Sequence, residues 1–213
     1  MTHGARFISA ALTVTLLSSL PAAAQDYAPR NECSTVDGAA EFRLKLVTAV
    51  VNRNEAMLLE LAWPEILLDF GGGSGREILR ERLTDPNYRL WEELDRLLPL
   101  GCARSTGDIL VLPWYFGQEL GTSDPFATFL TIGSDIAVHK TPDITSEILE
   151  WLSWEPVILE EAGGSHAEFI AVRTRAGTFG YVPKQQIRSE IDYRLVVEPT
   201  EEGYRITAFV AGD

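Results

Sequence analysis

The sequence predicts an α+β protein, with a helical N-terminal region that carries a sheet and a smaller unit built of strands. Two observations support this fold class. Between residues 36 and 100 the apolar residues recur with the period of amphipathic helices. After Cys102 the apolar runs become short and are separated by Gly, Pro and Asp, which is typical of strands joined by turns.

The first 24 residues have the pattern of a cleavable signal peptide. Arg6 and the amino terminus are positive, residues 7–20 are uncharged and mostly apolar, and residues 22–24 are all Ala. The uncharged stretch is shorter than the roughly 20 residues of a membrane-spanning helix. We therefore expect cleavage near Ala24 and a mature protein that is periplasmic or secreted, with no transmembrane segment.

The composition is strongly acidic. The chain has a formal net charge of −13, and removal of residues 1–24 with their single basic residue, Arg6, would change it to −14. Nucleic acids and anionic membranes are bound by clustered Lys and Arg, so we expect neither as a partner. The charge favours solubility through mutual repulsion, and attraction to a basic partner is the alternative interpretation.

The only two cysteines, Cys33 and Cys102, predict one disulfide in an exported chain. A catalytic thiol would need a neighbouring base. Neither His139 nor His166 lies in a cysteine-protease context, and the closely spaced cysteine pair of redox enzymes is missing from the sequence.

Four helices are predicted in the first half. Residues 38–52 place apolar side chains on one broad face, which consists of Phe42, Leu44, Leu46, Val47, Ala49, Val50 and Val51. Asn54 can cap a short second helix that ends before Pro64. Residues 76–83 and 88–98 form the other two, and the inward residues of the last helix are Leu90, Trp91, Leu94, Leu97 and Leu98.

Strands are predicted at residues 66–70 and 109–116 and in a C-terminal hairpin, residues 190–213. The glycine-rich residues 71–75 lack the ending of a phosphate-binding loop, so we interpret them as a turn. Neither the N-terminal region nor the hairpin has enough elements to bury a sheet alone. We therefore predict that the hairpin pairs with residues 109–116, which leaves residues 126–189 as an insertion.

Residues 129–187 contain a predicted loop at residues 141–149, predicted strands at residues 152–159 and 169–174, and a hairpin at residues 176–182, which reads AGTFGYV. This pattern, and above all the hairpin, resembles a bacterial SH3-like (SH3b) domain. The resemblance implies a small, strongly bent β-barrel over residues 126–189.

Physical reasoning supports the same hairpin. Gly177 suits the positive φ of a tight turn, Gly180 allows a bend, and Tyr181 and Val182 point to opposite faces of their strand. The chain departs from the family at residues 137–139, where AVH replaces Asn-Val-Arg, and at residues 167–169, where AEF replaces Gly-Trp. The family's ligand groove therefore does not follow from the fold.

Four aromatic residues of this unit are the predicted ligand-binding residues: Trp151, Trp154, Phe179 and Tyr181. With Phe169, they are too many rings for so small a barrel to bury completely. Exposed aromatic side chains flanked by polar residues are typical of grooves that bind peptides or sugars.

Residues 26–125 and the hairpin are predicted to contain two helices, a strand, a third helix and final strands that end at residues 204–210, which read YRITAFV. This arrangement resembles an NTF2-like cone. The resemblance implies an apolar pocket that could hold Asp69, Tyr88 and Trp114, with Asp69 as a base if burial raised its pKa. Because Asp69 adjoins the glycine-rich turn, we favour the alternative that it caps this turn.

These patterns favour an exported, non-catalytic binding protein whose SH3-like barrel binds a cell-envelope component. The resemblance implies peptidoglycan or its stem peptides, whose amino groups could meet Glu160 and Glu161. The alternatives are an NTF2-like small-ligand carrier or enzyme, and an adaptor for a basic envelope protein. We predict no cofactor, metal site or catalytic residue, because the sequence lacks a serine nucleophile motif and a zinc-binding histidine pair.

Overall fold

The computed structural model describes residue 1, residues 26–160 and residues 166–212, so the predicted signal peptide lies outside the described residues apart from Met1. The described chain contains both helices and two sheets, which confirms the α+β class. None of the helices among these residues is long and apolar enough to cross a bilayer.

The four predicted helices are present as α1 (Ala39–Val51), α2 (Glu55–Leu61), α3 (Arg76–Thr84) and α4 (Leu90–Leu97). Asn54 caps α2 as predicted, because its side-chain oxygen accepts a hydrogen bond from the backbone N–H of Met57 at 3.0 Å. The glycine-rich segment forms the turn before α3, and Gly75 is the N-cap residue of that helix.

The predicted apolar face of α1 was too broad. Leu46 is fully buried, whereas Leu44 and Val51 are 68% and 70% exposed and Val47 is 37% exposed. Each residue advances a helix by about 100°, so Leu44 and Val51 lie about 160° and 140° away from Leu46. One face of α1 meets the core, and the side chains of Leu44 and Val51 are on the opposite face.

The described strands are β1 (Ala62–Leu67), β2 (Ala103–Arg104), β3 (Leu110–Leu112), β4 (Thr128–Thr131), β5 (Ile136–His139), β6 (Ile148–Leu152), β7 (Pro156–Leu159), β8 (Phe169–Arg173), β9 (Phe179–Pro183), β10 (Ile187–Ser189), β11 (Arg194–Thr200) and β12 (Gly203–Val210). A five-stranded sheet has the order β1-β12-β11-β3-β2, and a seven-stranded sheet has the order β10-β4-β7-β8-β9-β5-β6.

The C-terminal hairpin, β11 and β12, lies in the middle of the five-stranded sheet. Leu195 of β11 is opposite Leu112 of β3, and β12 runs parallel to β1. All strands of the seven-stranded sheet lie between β3 and β11 in the chain. The two sheets are therefore joined by two chain crossings.

Three strand predictions need correction. The strand predicted at residues 66–70 is β1, which starts earlier and contains Pro64; β1 is an edge strand, where proline is tolerated. The strand predicted at residues 109–116 ends at Leu112, because Pro113 has no N–H to donate and a 3-10 turn follows. The strand predicted at residues 152–159 is interrupted by a turn at residues 153–155, so β6 and β7 are separate strands.

The buried side chains form three groups. The largest packs helices α1–α4 against the five-stranded sheet and includes Cys33 and Cys102, which form the predicted disulfide with a Cα–Cα distance of 5.8 Å. The second joins the two sheets and contains Tyr27, Leu100, Ala103, Trp114, Tyr115, Leu120 and Leu130. The third, inside the seven-stranded sheet, contains Ile136, Val138, Leu152, Val157, Val172 and Val182.

Candidate functional site

The four predicted binding residues do not form one group. Phe179 and Tyr181 are neighbours on β9, and their ring centroids are 5.6 Å apart. Trp151 lies on the edge strand β6, opposite Ala137, and is 57% exposed. Trp154 lies beyond β6 in the turn to β7, and its ring packs against the group of buried residues that joins the two sheets. The single groove expected from the sequence is therefore two separate surfaces.

The first surface is the outer side of β5, β6 and β9. Tyr181 is opposite His139 of β5, and its ring is 5.2 Å from the ring of His166. Val182 points the other way and is fully buried, as predicted. Beside these strands, Phe179 is 38% exposed. This surface presents aromatic rings around a buried histidine.

His139 is the unusual residue of this surface. Its side chain is 2% exposed, and neither ring nitrogen has a hydrogen-bond partner in the part of the chain that the structure describes. The ring packs edge-on against Phe169 at 5.8 Å. A buried polar group without a partner costs about 1–3 kcal/mol of stability. His139 therefore occupies a position that an apolar ring would fill at lower cost.

The second surface is a cleft of about 740 Å³, which we call the Trp154 cleft. Its size is within the range of roughly 300–1,000 Å³ that is usual for ligand pockets. One wall is the end of α4 and the turn after it, and the other is the seven-stranded sheet. The lining residues are Pro29, Arg96, Pro99, Leu100, Ile132, Trp154, Lys184, Gln185, Ile187, Arg188 and Asp192.

The backbone holds Trp154 rigidly at this cleft. Its φ is +53°, in the left-handed region that few non-glycine residues adopt. Its N–H donates to the carbonyl of Gly133 at 3.0 Å, and its carbonyl accepts from the N–H of Tyr27 at 3.3 Å. The turn therefore connects the seven-stranded sheet to the segment before α1.

A charged network lies at the base of the Trp154 cleft. Arg188 is 6% exposed, donates to the carbonyl of Tyr193 at 2.9 Å and lies 3.4 Å from the carboxylate of Asp192. Glu93 is 3.7 Å from Arg188. Burial raises the pKa of the Glu93 carboxyl, and the nearby Asp192 raises it further. The network thus fixes a guanidinium group at the cleft.

Asp69 caps the glycine-rich turn, as the favoured interpretation predicted. One of its oxygens accepts from the N–H groups of Gly71 and Gly73 at 2.7 and 2.8 Å, and the other pairs with Arg82. The hydrogen bond from Arg82, followed by the bond from the Gly73 N–H, lowers the pKa of the Asp69 carboxyl. The alternative, a base with a raised pKa, is wrong for this residue.

The other two residues of the expected NTF2-like pocket have structural roles. The Tyr88 ring lies under the guanidinium group of Arg82 at 4.6 Å. Trp114 is 2% exposed and its ring N–H donates to Glu32 at 2.8 Å. Within residues 26–160 and 166–212, no three His, Cys, Asp or Glu side chains converge as metal ligands would.

Comparison with known proteins identifies no relative. No family model matches the chain. No curated protein and no solved structure matches it either.

Trp154 was predicted from the sequence as a binding residue, but the cleft around it was not predicted. Its other lining residues come from four distant segments of the chain, and their types are ordinary for a surface. The only signal in the sequence was the excess of aromatic residues over what a small barrel can bury.

Proposed function

We propose that this protein is an exported, non-catalytic binding protein whose ligand is a cell-envelope component, with peptidoglycan or its stem peptides the first candidate. The Trp154 cleft is the observation that carries this proposal. It combines an aromatic ring, apolar walls and a few fixed polar groups, which is the usual composition of a binding site.

The two family resemblances support an interpretation of the fold. We interpret the seven-stranded sheet as the SH3-like barrel, residues 126–189, and the five-stranded sheet with its helices as an NTF2-like scaffold. Three observations support the first interpretation: antiparallel pairing throughout the seven-stranded sheet, the turn at Gly177 and the buried Val182. The disulfide supports export, because such bonds persist in oxidising compartments.

The side chains that line the Trp154 cleft, and not Glu160 and Glu161, indicate the charge of the ligand. Glu160, which was expected to meet an amino group of a stem peptide, already pairs with Arg173, and Glu161 lies outside the described residues. The Trp154 cleft instead has three basic side chains and one acidic side chain in its lining. We therefore propose that the carboxylates of a stem peptide, and not its amines, face the protein.

Co-sedimentation with isolated cell-wall sacculi tests this function. We expect the oxidised protein to be retained at moderate salt, Trp154→Ala to lose most of the retention, and Trp151→Ala to keep it. The Trp151 variant is the matched control, since it removes the same ring from the exposed edge of the same sheet. Circular dichroism establishes that each variant is folded. If the unmodified protein stays in the supernatant, the cell-wall ligand is wrong.

An adaptor function has one specific observation in its favour. On the edge strand β6, Ile148 and Leu149 are 41% and 40% exposed, next to the exposed Trp151. The register of β5 and β6 shifts so that Leu149 is an extra residue, which places Ile148 and Trp151 on one face. An exposed apolar edge can take an additional strand from a partner. Loss of protein binding in Trp151→Lys, with retention on sacculi unchanged, would favour this second function.

A further inference from the structure

The Trp154 cleft carries a charge opposite to that of the whole chain. Its lining includes Arg96, Lys184, Arg188 and the acidic Asp192, and Glu93 pairs with Arg96 and Arg188 from behind. These three basic and two acidic side chains sum to a charge of +1, whereas the chain has a formal net charge of −13. Basic groups gathered at one concave site of an acidic protein attract an anion, because the low-dielectric walls focus their field.

The three basic groups differ in how firmly they are held. Arg188 is buried, donates to the carbonyl of Tyr193, and its Nε lies 3.4 Å from the carboxylate of Asp192. The Arg96 side chain is 58% exposed but is oriented by Glu93 at 3.0 Å. Lys184 is exposed and forms no ion pair within the described chain. Arg188 and Arg96 are therefore held in place by acidic partners, and Lys184 is the cation of the cleft whose charge has no acidic partner among the described residues.

Apolar groups lie beside these cations. Trp154, Ile132 and Ile187 line the same cleft, and the remaining wall is formed by Pro99 and Leu100. A ligand that satisfies both halves of the cleft has an anionic group next to a small apolar group. The end of a peptide chain, with a free carboxylate and a small side chain, has this chemistry.

We infer that the Trp154 cleft binds the C-terminus of a short peptide, with the carboxylate at Lys184 and Arg96 and the last small residues against Trp154. Arg188 lies behind this site, where Asp192 and Glu93 balance its charge and fix its position. This inference deepens the proposed function and rests on it for the source of the peptide. Charge-assisted hydrogen bonds of this kind are the stronger ones in protein recognition.

A matched pair of peptides tests the carboxylate. The probe is diacetylated lysyl-D-alanyl-D-alanine as the free acid, and its C-terminal amide differs only by the charge. Isothermal titration calorimetry on the oxidised protein should show the acid binding at least about tenfold more tightly than the amide, since a lost charged hydrogen bond costs about 1.5–3 kcal/mol. The difference should shrink at high salt, because salt screens exposed charges.

Two variants and a control locate the site. Lys184→Gln and Arg96→Gln should each weaken binding of the acid by about threefold to tenfold and leave binding of the amide nearly unchanged. Lys140→Gln removes an exposed lysine that pairs with Glu147 outside the cleft, and it should change neither affinity. The two rim variants change exposed side chains, so thermal unfolding near that of the parent protein is the expected folding control.

The outcomes separate this inference from the proposed function. Equal affinity for acid and amide would overturn carboxylate recognition, and so would retention of the protein on sacculi without binding of either peptide. Tight binding of the acid by a protein that sacculi do not retain would support the inference and contradict the cell-wall ligand.

Discussion

The two sheets of this protein bury their side chains differently. Four helices cover the five-stranded sheet in one continuous core that the disulfide Cys33–Cys102 crosses. The seven-stranded sheet surrounds a small core of Ile, Val and Leu and leaves Trp151 and Phe179 exposed on its outside. The two regions therefore differ in the size of their cores and in the disulfide, and not in the exposure of aromatic rings, since Trp63 and Phe70 of the first region are 41% and 53% exposed.

Truncation of the large core should have the greatest effect. Leu46→Ala removes a fully buried side chain and should lower the free energy of unfolding by about 2–5 kcal/mol, because a cavity remains. Leu44→Ala on the same helix is the matched control, and its 68% exposed side chain should change stability by about 0.5 kcal/mol or less. Urea unfolding followed by circular dichroism measures both. Equal losses would show that the exposed side of α1 is covered.

Reduction of the disulfide is the next largest expected effect. Opening Cys33–Cys102 should lower the free energy of unfolding by about 2–4 kcal/mol, because the unfolded chain gains conformational freedom. Thermal unfolding with and without a reductant gives the shift in Tm. A variant with both cysteines replaced by Ala is the control and should not respond to the reductant. A Tm that does not change on reduction would show that the disulfide does not stabilise the helical region.

In the seven-stranded sheet, the sensitive position is a close approach of two strands. A Cβ at Gly180 would lie 2.5 Å from Cγ1 of Val138 and 2.8 Å from the carbonyl oxygen of His139. Gly180→Ala should therefore cost about 1–3 kcal/mol by overpacking. Gly177→Asn is the control, since Gly177 has a φ of +88° in open space and Asn tolerates that conformation. A stable Gly180→Ala variant would mean that β5 and β9 separate easily.

The smallest expected effect is a gain. His139→Phe replaces a buried ring that lacks hydrogen-bond partners among the described residues, and it should raise the free energy of unfolding by about 1 kcal/mol. His139→Asn keeps a buried polar group at the same place and should lower stability instead. Denaturant unfolding distinguishes the two variants. A loss of stability in His139→Phe would indicate that the histidine ring has a role beyond packing.

Sequence patterns predicted the local features of this fold well. The helix periodicity of the first half, the cap at Asn54 and the turn at Gly177 depend on neighbouring residues, and all three are present. The predictions were wrong where tertiary packing determines which side chains are buried and which backbone conformation a residue adopts. The sequence did not show which side of α1 meets the core, or that Trp154 adopts a turn conformation inside an apolar run.

The candidate site was less predictable than the fold. Trp154 is part of it, but Arg96, Lys184 and Arg188 are ordinary basic residues in the sequence, and only their arrangement in three dimensions distinguishes them. The expected pocket around Asp69 depended on a raised pKa, and the nearby Arg82 lowers it instead. Ion pairs and cleft walls that are formed by residues distant in the chain leave no short pattern in the sequence.

The pairing of Leu112 with Leu195 has a consequence for the order of folding. A ribosome makes β3 long before β11, and during that interval the inner edge of β3 has no partner in its sheet. Contacts between residues so distant in the chain form slowly, and an unpaired edge invites association with other chains. A newly synthesised chain therefore needs residues 194–213 to complete the sheet against which its N-terminal helices pack. A premature stop near Glu190 would destabilise this N-terminal region, although all of its own residues had been made.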